Sequence, residues 1–154
     1  MGIQGLSHLT FVVHDPDRSA RLWCEALGAV EVYDSGALQF SLSREKFFTL
    51  GCMWIALMEG EPFAVRNYRH TAFKVDESDL ASYRERLLAL GAEVKESRPR
   101  VAGEGQSLYF YDYDNHLFEL HSGTLEQRLE RYAKEINHEH HDTQGSTRAS
   151  HRLD

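Results

Sequence analysis

The chain of 154 residues repeats one plan of secondary structure, and this duplication constrains its fold more than any other feature. Each half begins with a strand-like segment, continues with a helix-like segment that ends at a glycine, and finishes with further strand-like runs. The equivalent positions are His8, Phe11 and Val13 with His70, Phe73 and Val75; Leu27-Gly28-Ala29 with Leu90-Gly91-Ala92; and Met58-Glu59-Gly60 with His121-Ser122-Gly123. An internal repeat of this kind predicts an α+β protein built from two βαβββ modules.

Local patterns give the bounds of the elements in the first module. Alternating residues predict a strand at 6–13, and Asp15 followed by Pro16 is typical of a helix N-terminus. Gly28 is expected to end that helix in a left-handed turn. Strands are predicted at 30–33, 38–43, 47–50 and 53–58.

The second module follows the same order. A strand is predicted at 68–75, and Ser78 is expected to cap a helix that ends before Gly91. Thr124 and Gln127 form a predicted capping box at the start of a C-terminal helix, 124–136. We therefore expect one domain, 1–136, with module one at 3–60, module two at 67–123 and a disordered polar tail at 137–154.

Composition excludes several classes of function. The formal net charge of -7 and the absence of a basic run argue against nucleic-acid binding. No apolar run approaches the length of a membrane span, and the N-terminus lacks the pattern of a signal peptide. Cys24 and Cys52 have neither metal-binding nor redox spacing, which favours reduced thiols and a cytoplasmic location.

A possible metal site emerges from the repeat. Glu119 lies within an apolar strand, where a carboxylate is costly unless it is paired or bound to a metal, or unless that face of the strand is solvated. His8 and His70 occupy equivalent positions on the first strand of each module, and Ala56 is the counterpart of Glu119. A single strand histidine is usually structural, but two histidines and one carboxylate with open positions match a catalytic divalent metal site.

Several strings of residues resemble the vicinal oxygen chelate superfamily, and within it the FosX-type fosfomycin resistance proteins. They are Gly5-Leu-Ser-His8, Phe40-Ser-Leu-Ser-Arg-Glu-Lys-Phe-Phe48, Met58-Glu-Gly60, Arg98-Pro-Arg-Val101, Gly103-Glu-Gly105, Tyr109-Phe-Tyr-Asp112 and Asp114-Asn-His-Leu-Phe-Glu-Leu-His121. The resemblance spans roughly residues 3 to 134. It implies a cupped mixed sheet around a Mn²⁺ site in a domain-swapped homodimer, with His8 of one chain meeting His70 and Glu119 of the other.

The resemblance also assigns roles to individual residues. Glu45 would be the catalytic base that activates water to open the epoxide of fosfomycin, giving a vicinal diol. Taken by itself, Glu45 between Arg44 and Lys46 is typical of a charged turn. The other implied contacts are Thr10 near the epoxide, Ser107, Tyr109 and Arg128 at the phosphonate, and one of Arg98 and Arg100 there as well, although both of these fit a solvated loop equally.

Other functions remain open on the same scaffold. A thiol transferase that adds glutathione or bacillithiol to fosfomycin would share the metal site but would not need Glu45. A dioxygenase would use the metal for a different reaction, and a drug-sequestering protein would lack the metal triad. His121, on the face of Glu119, could orient a ligand, and His14 and His116 are interpreted as structural.

Overall fold

The strands form two four-stranded sheets, one from each half of the chain, in the computed structural model, which describes residues 2–96 and 103–134. In the first sheet, β1 (His8–Val13), β2 (Val30–Asp34), β3 (Glu45–Leu50) and β4 (Met53–Glu59) lie in the order β1-β4-β3-β2. In the second, β5 (His70–Lys74), β6 (Glu93–Val94), β7 (Ser107–Tyr111) and β8 (Leu117–His121) lie in the order β5-β8-β7-β6. The predicted α+β fold of two modules is confirmed, while the exact module boundaries and the domain swap stay predictions.

Along the chain, each module has a helix between its first and second strands, and a further helix follows the last strand. Helix α1 (Pro16–Arg21) begins at Asp15, whose carboxylate accepts the backbone N–H groups of Asp17 and Arg18 at 3.0 and 2.9 Å, which confirms the predicted cap. A π-helical turn, Leu22–Ala26, extends α1, and Gly28 has the predicted left-handed φ of 78°. None of the helices in the described part of the chain is long and apolar enough to cross a membrane.

The second helix departs from the prediction at its start. Helix α2 (Leu80–Ala89) follows a 3-10 turn, Glu77–Asp79, so Ser78 lies inside that turn and the predicted Ser78 cap is wrong. The N-cap residue is Asp79, and its side chain makes no capping hydrogen bond. The C-terminal helix α3 covers residues 125–134, where Thr124 and Gln127 exchange the two hydrogen bonds of the predicted capping box at 2.9 and 3.2 Å.

The predicted strand at 38–43 is also wrong. Strand β2 pairs directly with β3, with Asp34 opposite Lys46, so residues 35–44 form the connection of a hairpin and pair with no strand in the described part of the chain. The alternating apolar residues of this connection, Leu38, Phe40 and Leu42, are 62, 72 and 86% exposed. Period-two alternation alone does not supply the neighbouring edge that a strand requires. As a result, Glu45 opens a strand rather than following one.

One core lies between the two modules and holds them together. Phe11 of β1 contacts Phe118 of β8 with ring centroids 5.1 Å apart, and Trp23 lies 5.5 Å from Phe118 and 6.1 Å from Phe73. Buried Asp114 in the β7–β8 turn accepts the His14 backbone N–H at 3.1 Å, which ties the second module to the start of α1. Because strand side chains alternate, the residues between these core positions face away from the core.

Candidate metal and substrate site

The face of the second sheet opposite the core carries the polar side chains of the candidate site. The register pairs Ala72 and Tyr109 with Glu119, and Ser107 with His121, so these side chains lie on one face together with His70. Glu119 is only 6% exposed. A carboxylate at this depth needs hydrogen-bond donors or a cation, and the surrounding side chains supply donors.

His70 and Glu119 approach each other in the manner of two ligands of one cation. The Nδ1 atom of His70 lies 3.0 Å from the carbonyl oxygen of Tyr68, and since a carbonyl only accepts, Nδ1 carries the proton. In the neutral tautomer with its proton on Nδ1, the Nε2 lone pair of His70 faces Glu119 Oε2, which lies 3.2 Å away. Two acceptors at this distance require a proton or a metal ion between them, and ligand atoms about 2.1 Å from a metal lie at about this separation. The pair fits a divalent metal.

Ser107 and Tyr109 hold the Glu119 carboxylate in place. The buried Ser107 hydroxyl donates to Glu119 Oε1, so His121, whose Nδ1 lies 2.7 Å from Ser107 Oγ, must donate to the same hydroxyl. Burial, a hydrogen bond to Glu119 and the charge of that carboxylate raise the pKa of Tyr109, which therefore keeps its proton. Ser107 and Tyr109, predicted as phosphonate contacts, thus support a metal ligand here, and their contact with substrate stays a prediction.

His8 lies on the other sheet, apart from this pair. It is exposed on β1, and its ring contacts that of Trp54 at a tilt of 36° with centroids 4.4 Å apart. Within residues 2–96 and 103–134, no three His, Cys, Asp or Glu side chains converge closely enough to hold a metal ion. A single chain thus brings two of the three predicted ligands together, and the contribution of His8 from a second chain stays a prediction.

Glu45 shares a face with His8 and Thr10. In the first sheet Glu45 and Val12 both pair with Met58, while Thr10 pairs with Ala56, so the three side chains of Val12, Thr10 and Glu45 point away from the core. The Glu45 side chain is half-buried and makes no hydrogen bond or ion pair with any residue that the structure describes. Its neighbours Arg44 and Lys46 bind other carboxylates, so the charged-turn interpretation does not account for Glu45.

The remaining predicted residues lie in separate parts of the chain. Thr10 and His70 both line one cleft of about 300 Å³. Arg128 is exposed on α3, and Arg98 and Arg100 lie outside the described residues. The Nδ1 atom of His116 lies 2.7 Å from Asp112, in agreement with a structural role.

Sequence patterns missed Tyr68. Its carbonyl fixes the tautomer of His70, its ring meets the His70 ring edge to face at 5.3 Å, and its hydroxyl hydrogen-bonds to Tyr109. The available signal was its position two residues before His70, since residues two apart in an extended segment share a face.

Comparisons with known proteins agree with this architecture. The model of the glyoxalase-like domain family matches residues 8–121. The fosfomycin resistance protein FosX of Mesorhizobium japonicum is 55% identical over 132 residues, covering 86% of this chain and 95% of that protein. FosX of Listeria monocytogenes is 51% identical, covering 84 and 98% of the two chains, and the metallothiol transferase FosB of Shouchella clausii is 36% identical, covering 86 and 89%.

Crystal structures of FosX proteins are also similar to this chain in fold and sequence. A mutant of FosX from Listeria monocytogenes, complexed with Mn(II) and 1S,2S-dihydroxypropylphosphonic acid, is similar with a TM-score of 0.77, 49% identity and coverage of 85% of this chain and 99% of that one. FosX from Mesorhizobium loti has a TM-score of 0.75 with 52% identity and coverage of 83 and 98%. The chain therefore belongs to the glyoxalase-like family, and within it to the fosfomycin resistance proteins of the FosX type.

Proposed function

We propose that this protein is a Mn²⁺-dependent epoxide hydrolase that opens the ring of fosfomycin to a vicinal diol and so confers fosfomycin resistance. The observation that carries the proposal is the pairing of His70 with Glu119 in a chain 49% identical to a FosX whose crystal structure contains Mn(II) and a dihydroxypropylphosphonic acid. That acid is the product expected when water adds across the epoxide of fosfomycin. A hydrolase also needs a base, and Glu45 offers a carboxylate that makes no hydrogen bond or ion pair with the described residues.

The metal ligands in this proposal are His70 and Glu119 of one chain and His8 of a second. Glu119 supplies the anionic ligand, and the donors Ser107 and Tyr109 fix its orientation. Tyr68 directs the His70 Nε2 lone pair towards the same point. When bound, Mn²⁺ supplies a Lewis acid for the epoxide oxygen and favours the negative charge that ring opening places there.

Glu45 acts as the general base. Its carboxylate accepts a proton from a water molecule whose oxygen forms a bond to the ring carbon that bears the phosphonate. The bond between that carbon and the ring oxygen breaks, and the ring oxygen takes a proton from solvent to become the second hydroxyl of the diol. Glu45 then releases its proton to solvent. Neutral water is a poor nucleophile and needs such a base, whereas a thiolate brings its own reactivity.

The phosphonate dianion requires positive charge and hydrogen-bond donors. Arg128 and one of Arg98 and Arg100 supply the charge, because a guanidinium fork suits a phosphonate. The hydroxyls of Ser107 and Tyr109 donate to the phosphonate only if they release Glu119, since each has a single proton, and Thr10 lies near the epoxide.

The active protein is a homodimer with two shared sites. His8 is exposed on β1, which is an edge strand of its sheet, and Trp54 beside it is 40% exposed. A large apolar side chain next to an exposed ligand is consistent with a surface that a second chain covers. In this arrangement His8 of the partner subunit completes the pair of His70 and Glu119. The proposal also locates the protein in the cytoplasm, since Cys24 and Cys52 are both free thiols.

The proposal is tested with the metal-free protein, Mn²⁺ and fosfomycin, followed by phosphorus NMR. Addition of Mn²⁺ alone is expected to start conversion of fosfomycin to the diol, and a chelator is expected to stop it. The FosB relative makes thiol transfer the main alternative. Turnover that begins only after glutathione or bacillithiol is added, with a thioether product, would replace hydrolysis by transfer.

A further inference from the structure

The residues on either side of Glu45 are cations, and both are bound by carboxylates away from its side chain. Arg44 donates to Asp17 at 2.8 and 2.9 Å and to Asp34 at 2.9 Å. The Lys46 ammonium lies 2.8 Å from Asp34 and 3.1 Å from Asp17. Strand alternation turns Lys46 to the face of β3 opposite Glu45.

Opposite charges stabilise this cluster, which consists of Arg44, Lys46, Asp17 and Asp34. Hydrogen bonds from Arg44 and then from Lys46 hold the pKa of Asp34 far below its ordinary value. Burial by itself would lower the pKa of Lys46, but hydrogen bonds to Asp34, Asp17 and Glu31 outweigh it and raise the pKa. Lys46 is 5% exposed, and breaking one partner of a buried ion pair leaves an uncompensated charge. Both cations are therefore engaged and do not neutralise Glu45.

Ser35, the residue after Asp34, fixes the backbone of Glu45. The Glu45 N–H donates to the Ser35 hydroxyl at 3.1 Å, and the Ser35 N–H donates to the Glu45 carbonyl at 3.0 Å. Ser35 is 5% exposed, and the adjoining Asp34 accepts the backbone N–H of Gly36 at 2.8 Å. The two ends of the irregular connection at 35–44 are thereby joined beside Glu45.

We infer that Asp34 and Ser35 are positioning residues for the catalytic base. Ser35 fixes the backbone from which the Glu45 side chain extends, and Asp34 holds the Arg44 guanidinium so that it does not pair with the Glu45 carboxylate. This inference rests on the proposed role of Glu45. Without these contacts, Glu45 would move relative to the water it activates, and a guanidinium beside it would reduce its basicity.

The test compares Ser35→Ala and Asp34→Asn in the native protein and in Glu45→Gln. In the native Mn²⁺-loaded enzyme, each change is expected to lower kcat by about 10- to 100-fold, the loss typical of a displaced catalytic group. In Glu45→Gln, which has no base to position, neither change is expected to lower kcat further. Mn²⁺ affinity, measured by electron paramagnetic resonance of the free ion, should stay native in all of them.

Ser41→Ala is the matched control, because Ser41 is an exposed serine of the same connection. It is expected to retain native kcat, and circular dichroism checks that each variant is folded. If Ser35→Ala fails to fold, Asp34→Asn decides the question. Native kcat in the folded Ser35→Ala or Asp34→Asn variant, or an equal loss in the Glu45→Gln background, would overturn the inference alone. Native kcat in Glu45→Gln by itself would overturn the proposed function as well.

Discussion

At the scale of single residues, Ser107 connects Glu119 and His121 on the face of the second sheet that also carries His70. Its hydroxyl donates to Glu119 and accepts from His121, so its removal leaves one Glu119 oxygen without this donor inside the protein. We expect Ser107→Ala to weaken Mn²⁺ binding by about 10- to 100-fold, the usual effect of losing a partner of a metal ligand.

Titration of the substrate-free protein with Mn²⁺ measures this effect, and Ser41→Ala serves as the control. Native Mn²⁺ affinity in Ser107→Ala, combined with a raised KM for fosfomycin, would assign the hydroxyl to the phosphonate instead of the carboxylate.

Sequence patterns identified some residues of this face and missed others for physical reasons. His70 and Glu119 were found because the repeat aligns His8 with His70 and leaves a carboxylate where the first module has Ala56. Tyr68 was missed because its main contribution is a backbone carbonyl, which every residue type possesses. The hydrogen bond of Ser107 to Glu119 depends on the register of β7 against β8, which the residue order alone does not specify.

At the scale of elements, the charge cluster between α1, β2 and β3 predicts how stability responds to acid. The pKa of Asp17 and that of Asp34 lie below the ordinary value of 3.8, chiefly because Arg44 and then Lys46 donate hydrogen bonds to the carboxylates. A carboxyl whose pKa is lower in the folded state binds fewer protons there than in the unfolded chain. It therefore stabilises the fold above its unfolded pKa, and this contribution is lost as the pH falls through the folded pKa.

We expect Asp34→Asn to lower the melting temperature at about pH 7. The difference from the native protein should shrink below about pH 4, because Asp34 takes up a proton first in the unfolded chain and only at lower pH in the folded protein. Thermal unfolding followed by circular dichroism across this range is the measurement. Asp76→Asn is the control, because Asp76 is exposed and has no side-chain ion pair among the described residues. A difference that stays constant down to about pH 2.5 would contradict this origin of the stability.

The elements themselves were predictable where local chemistry determines them. Asp15 and Thr124 supply caps that need only neighbouring backbone groups, and Gly28 adopts a left-handed conformation that other residues avoid. The connection at 38–43 was not predictable in this way, because its alternation resembles that of a strand. The direct pairing of β2 with β3, a tertiary property, decides that it stays irregular.

At the scale of the whole molecule, the two modules share a core, but the predicted metal ligand of the first module lies apart from those of the second. Phe11, Trp23 and Phe118 join the modules, whereas His8 and the pair of His70 and Glu119 do not meet within one chain. The repeat was sufficient to predict the two sheets. It was not sufficient to predict which copy supplies His8, because a repeat is equally compatible with closure within one chain and exchange between two.

The proposed site shared between two chains makes a specific prediction about mixed dimers. His8→Ala and Glu119→Gln should each be inactive alone, because every site of either homodimer lacks one ligand. In a mixed dimer, one site carries both changes and the other carries neither. Equal mixing with subunit exchange should therefore restore about one quarter of native activity, since half of the dimers are mixed and each has one native site.

Steady-state turnover of the exchanged mixture, with the mass of the species checked by light scattering, measures this recovery. A pair of variants that both contain His8→Ala provides the control and should stay inactive. Absence of recovery after verified exchange would contradict the shared site, and so would full activity in a monomer of 17.7 kDa.

The central claim is that Glu45 activates water to open the epoxide, and the most direct measurement follows the reaction in isotopically labelled water. The native Mn²⁺-loaded enzyme, without thiols, should form a diol that carries one labelled oxygen at the carbon bearing the phosphonate. Glu45→Gln should form it more slowly by on the order of 10²- to 10⁴-fold, the usual contribution of a positioned base, with Mn²⁺ affinity unchanged. An unlabelled product, a thiol adduct, or a native rate in Glu45→Gln would contradict the account.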